Sequence, residues 1–109
     1  MKEWIGVDLD GTLARYETWQ GAEHIGEPVK PMLDRVKKWL NEGKTVKIFT
    51  ARAAVPEQIH FVKEWLANNG LPALEVTNIK DMWMTELWDD RCVQVEQNTG
   101  KISSARTRN

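Results

Sequence analysis

Four aspartates carry the chemistry open to this chain: Asp8 and Asp10 in VDLDGT, and Asp89 and Asp90 in LWDDR. Acids gathered in one small volume repel one another unless a cation or bound protons neutralise them. Their hard oxygen atoms suit Mg²⁺, which keeps several waters and typically engages a substrate phosphate as well. Between the two acidic pairs stand a hydroxyl, Thr50, and an ammonium, Lys80. Beside a bound ion these two make an anion site. Phosphoryl transfer needs little beyond positioning and charge stabilisation of this sort. One carboxylate can act as nucleophile and divide a difficult displacement in two. A second can move protons on and off the departing oxygen and water, an effect worth about 10²–10⁴-fold.

A D-x-D pair also opens a calcium-binding loop, which requires a glycine at its sixth position and a glutamate at its twelfth. Counting from Asp8, Gly11 is fourth and Trp19 is twelfth, so that reading fails. Residues two apart on a strand point to the same side, so Asp8 and Asp10 reach one volume while Leu9 turns into the core. Gly11 then permits a sharp turn.

The elements that must position these groups follow from the hydrophobic pattern. EWIGVDL is a short, nearly continuous apolar run, the mark of a strand buried on both faces of a parallel sheet. A polar, glycine-dotted stretch follows, and residues 13–30 are expected to form an irregular flap loop. A helix begins near Pro31 with Leu33, Val36 and Leu40 on one face, and stops at Gly43. TVKIFT is a second strand ending at Thr50. Pro56 opens another helix with Ile59, Val62 and Leu66 at helical spacing, ended by Gly70 and Pro72. ALEVTN is a third strand, followed by a helical turn around Asp81 to Met84. ELW and CVQV are expected as two more short strands on either side of DDR, with a polar tail over 97–109. Strands alternating with helices imply an α/β protein, a parallel sheet sandwiched between helices. Ligands of such sheets sit beyond the carboxyl ends of the strands, where all the groups named above fall.

With 109 residues the chain makes one domain. Its 15 Lys+Arg against 16 Asp+Glu give no sign of a strongly basic nucleic-acid protein, so no stable nucleic-acid complex is expected. The single cysteine, Cys92, cannot close an internal disulfide, and no apolar segment is long enough to cross a bilayer. A soluble, cytoplasmic protein without membrane partners is expected.

DLDGT, VKIFTAR, Lys80 and LWDDR, in this order and spacing, resemble the haloacid dehalogenase (HAD) superfamily over residues 4–95. The TAR and DDR wording is most similar to small phage and bacterial members and to the phosphatase half of bacteriophage polynucleotide kinase. The resemblance implies a three-layer, Rossmann-like sandwich without a cap domain, for which the chain has no room. It implies a Mg²⁺-dependent phosphomonoester hydrolase working through an aspartyl-phosphate. In it Asp8 is nucleophile and metal ligand, and Asp10 is general acid/base, giving its backbone carbonyl to the ion. Thr50 holds the phosphoryl group with its neighbour Ala51, and Lys80 neutralises it. Asp89 and Asp90 supply the remaining metal ligation, with Asp90 favoured as the direct ligand. An open, capless site suits bulky substrates such as nucleic-acid ends, or small phosphorylated molecules, and the likeness tilts toward nucleotides. The alternative is a non-catalytic phosphoacceptor; Asp10 argues against it, because such modules lack an acid there.

Around this set, Arg52 and Arg91 either bind a second phosphate or brace the aspartates, with bracing favoured for Arg91. Trp19 and His24 lie in the flap, where Trp19 either stacks on a base or sugar or packs the loop down. His60 is expected on the surface, and Cys92 buried in the last strand.

Overall fold

The computed structural model describes residues 2–103. Its elements run β1 (Trp4–Val7), α1 (Lys30–Asn41), β2 (Val46–Phe49), two short 3₁₀ turns (Ala51–Ala54 and Pro56–Gln58), α2 (Ile59–Asn68), β3 (Val76–Thr77) and β4 (Met84–Trp88). The strands form one all-parallel sheet in the order β3-β2-β1-β4. All four residues of β1 are buried, as the continuous apolar run predicts for a central strand.

Alternation along β1 and β2 decides where the core lies. Ile5 and Val7 share one face with Val46 and Ile48, and these four join a single cluster with Met32, Leu33, Val36 and Trp39 of α1 and Val62, Trp65 and Leu66 of α2. Both helices therefore pack on that face. Each fully buried side chain there, such as Val36 or Leu66, contributes about 1.5–3 kcal/mol of hydrophobic burial. The opposite face carries Trp4, Lys47 and Phe49, with the Trp4 and Phe49 ring centroids 6.5 Å apart and the Lys47 ammonium 4.5 Å above the Trp4 ring. The connection from β3 to β4 crosses this side, and Trp4 Nε1 donates to Asp81 Oδ1 at 2.8 Å.

Both helices end where the glycines indicate. Gly43 (φ +81°) and Gly70 (φ +76°) adopt the left-handed angles that terminate a helix. Pro31 sits in the first turn of α1. The buried stripe of α1 is completed by Trp39, and Leu40 is only partly buried. β3 is far shorter than ALEVTN suggests, with two residues paired to β2.

The chain after β4 departs from expectation. CVQV is not a strand of the sheet: Val95 instead bridges Ile102 in a small antiparallel hairpin, closed by Glu96 N–H to the Lys101 carbonyl at 2.8 Å. Its residues Val93, Val95 and Ile102 are exposed, and so is Cys92, against its expected burial. Their alternation builds a surface hairpin rather than a core strand, a distinction that local pattern does not carry. The tail expected over 97–109 thus begins inside this hairpin, and residues 104–109 lie outside the described residues. Among the described residues no helix is long and apolar enough to cross a membrane.

Candidate functional site

Strand order places the site. From β1 the chain moves to β2 and on to β3 on one side, then returns to lay β4 on the other side of β1. The order therefore reverses beside β1, and at such a switch point the loops leaving two adjacent strands open a crevice. Here those loops begin with Asp8 and with Asp89. Carboxylate oxygens of Asp8, Asp89 and Asp90 lie within 4.8 Å of one another.

Two features close this cluster. Thr12 Oγ1 accepts from the Asp90 backbone N–H at 3.0 Å and lies 3.1 Å from Asp90 Oδ1. That exchange ties the β1 loop to the β4 loop. Gly11 has φ +95°, and a Cβ there would come within 2.5 Å of Asp90 Oδ2, so the position needs both the angle and the space of glycine. Beneath the pair, Trp88 at the end of β4 packs edge-on against Trp39 of α1, with centroids 5.2 Å apart. Arg35 lies 4.9 Å from the centre of the Trp88 ring.

Burial pushes the Asp8 carboxyl up to about 7, helped by the negative charge of Asp89 and by Asp90 beside it. Among the described residues none of the three carboxylates is in an ion pair, a poor arrangement for acids this close together. Two oxygens on opposite sides of a Mg²⁺ stand about 4.2 Å apart, from bonds of about 2.1 Å, so oxygens within 4.8 Å of one another need at most a small closure to share one such ion. Asp8, Asp89 and Asp90 would hold it.

Asp10 belongs to a different arrangement. Its carboxylate is turned away from the cluster and gripped by Arg52, with Nε to Oδ2 at 2.7 Å and Nη2 to Oδ1 at 2.9 Å. Any share of Asp10 in an ion falls to its backbone carbonyl. The same guanidinium donates to the carbonyls of Ala22 (2.8 Å) and His24 (3.0 Å) and lies 4.8 Å from the centre of the Trp19 ring. Arg52 is itself buried. It is the brace of the site, whereas Arg91, expected in that part, lines the cleft, and its guanidinium pairs with no carboxylate among the described residues. Only its backbone N–H donates, to Asp89 Oδ1 at 2.7 Å.

The flap is ordered by this grip and by its own stem. Arg15 N–H donates to the Glu27 carbonyl and Val29 N–H to the Leu13 carbonyl, each at 2.8 Å. Trp65 Nε1 of α2 fastens the Gly26 carbonyl at 2.8 Å. Gly26 lies so close to the Arg15 carbonyl that a side chain has no room. The glycines and the isolated Trp and His signalled a loop. Nothing local marked Arg52, thirty residues downstream, as its anchor.

Thr50 is buried at the end of β2, where its Oγ1 accepts from Arg52 N–H at 3.1 Å. The hydroxyl proton remains to be donated. Thr50 and Ala51 line a cleft of about 600 Å³ together with Asp8, Asp10, Asp89 and Trp19. Asp90 faces a shallower groove across the cluster, with Arg35 and Thr12. Lys80 is exposed three residues past β3 and does not line the cleft. His60 is exposed on α2, as expected. No family model, curated protein or solved structure matches this chain.

Proposed function

We propose that the protein is a Mg²⁺-dependent phosphomonoesterase of the capless HAD type, acting through Asp8. The observation that carries the reading is the convergence of Asp8, Asp89 and Asp90 at the switch point, with Asp8 and Asp89 facing the cleft. When bound, the ion would neutralise the acids and the charge on the phosphoryl oxygens. Asp8 attacks phosphorus; the bond to the leaving oxygen breaks, and Asp10 supplies that oxygen with a proton. Water then attacks the aspartyl-phosphate and gives a proton to Asp10, releasing phosphate and restoring the Asp8 carboxylate. The Arg52 grip fixes Asp10 while each of its oxygens keeps a second acceptor site. Thr50 donates its free hydroxyl proton to a phosphoryl oxygen. Arg91 brings positive charge to the cleft, a duty that the resemblance gives to Lys80.

The site of the resemblance fits this fold better than its layering does. The three-layer sandwich calls for helices on both faces, and α1 and α2 share one core. Nucleotides or nucleic-acid ends are the substrates toward which the likeness tilts.

Hydrolysis of a generic aryl phosphate by the purified protein tests the reading. Turnover should need added Mg²⁺ and vanish in Asp8→Asn. Turnover in a chelator, or an undiminished Asp8→Asn protein, overturns it. A phosphoprotein that persists for hours would favour the phosphoacceptor alternative.

A further inference from the structure

We infer that the aromatic lining of the cleft is a platform for a flat heterocyclic ring, so that the ester hydrolysed is a nucleoside monophosphate unit. The inference rests on the phosphatase reading for its chemistry and on separate residues for its recognition.

Tyr16, Trp19, Phe49 and Val55 line the same cleft as Asp8 and Asp10. Trp19 is 53% exposed although the Arg52 guanidinium lies 4.8 Å from its ring centre. A ring polarised by a buried cation on one side and left open on the other is an efficient stacking surface. Packing the loop down, the bland use of an aromatic, is performed here by Arg52 and Trp65 instead.

The cleft also holds two side-chain amides, Gln58 and Asn78, that bond to nothing else among the described residues. An amide offers a donor and an acceptor together, which matches the edge of a base and has no counterpart on a plain hydrocarbon ring. The cleft volume of about 600 Å³ falls within the roughly 300–1,000 Å³ of small-ligand sites. Phosphate at the acids, ribose across the gap and base at the aromatic wall fill one continuous space.

The decisive comparison is a nucleoside 5′-monophosphate against ribose 5-phosphate, because both release the same kind of primary alcohol. With Mg²⁺ present, kcat/KM should favour the nucleotide about 5- to 160-fold, the range that base stacking on an aromatic supplies. In Trp19→Leu that ratio should collapse toward one, and Trp19→Tyr should restore most of it. Equal kcat/KM for the two substrates, or a ratio unmoved by Trp19→Leu, overturns the inference. Calorimetric affinities for the same two compounds keep it apart from the phosphatase reading. A nucleotide preference in binding without any turnover retains the platform and rejects the chemistry; turnover without preference does the reverse. A 5′-phosphorylated oligonucleotide as a third arm locates the unit: faster than the mononucleotide, it is a strand end; slower, a free nucleotide.

Discussion

Burial, aided by the two acids beside it, makes the Asp8 carboxyl keep its proton to unusually high pH, up to about 7 against an ordinary 3.8. Between those pH values the folded, metal-free protein holds a proton that the unfolded chain has released. Stability from this group therefore falls as pH rises through the window, and the loss is complete above pH 7. Asp8→Asn removes it. In EDTA the variant should melt above the parent at pH 8, with the gap shrinking steadily as the pH falls toward 4. Adding Mg²⁺ at pH 8 should raise the parent more than the variant. A gap independent of pH would show that the Asp8 carboxyl is not held above its ordinary range. At this scale the meeting of Asp8 with Asp89 and Asp90 was legible, because all three follow strand ends, whereas the pairing of the Asp10 carboxylate with Arg52 was not. Whether an arginine grips a carboxylate or a substrate depends on partners 28 to 42 residues away, His24, Ala22 and Asp10.

The flap and the acid are one mechanical unit, because a single guanidinium bonds to both. Arg52→Met keeps most of the volume and removes the four hydrogen bonds to Asp10, Ala22 and His24. Breaking a buried ion pair costs about 3–5 kcal/mol, and the lower end applies where one partner keeps contact with water; the Asp10 side chain is 21% exposed. We expect a loss of about 3 kcal/mol by chemical denaturation, together with new proteolytic cleavage between residues 16 and 26. Arg52→Lys should recover charge but not the two-pronged geometry, leaving the flap cleavable. A flap equally resistant in all three proteins would mean that its stem and Trp65 suffice. Helices announced themselves through Pro31, Gly43 and Gly70, which act through their own backbone angles. Strands did not. ALEVTN shrinks to Val76–Thr77 and CVQV leaves the sheet, since a strand exists only through its partners.

Across the whole molecule, the alternation of strands and helices specified a parallel sheet, and the switch point followed once β4 returned beside β1. What alternation does not specify is how many faces the helices cover. Successive right-handed crossovers in one direction stack α1 and α2 together, and only the short β3–β4 connection crosses the other side, leaving Ile79 and Met82 exposed. Among the described residues the acidic cluster, its cleft and the core thus draw on nothing beyond Arg91, and the hairpin adds none of its larger apolar side chains, Val93, Val95 or Ile102, to the core. Surface segments that bury no apolar side chain carry little stability. A chain ending at Cys92 should therefore melt within about 4–8 °C of the full protein, corresponding to a change of no more than about 1 kcal/mol. Its affinity for Mg²⁺, followed by calorimetry, should be unchanged, because Asp8, Asp89 and Asp90 are set by β1, β4 and the Trp39–Trp88 contact. A truncated chain that folds yet loses the ion would make the hairpin part of the site, and one that fails to fold would make it part of the core.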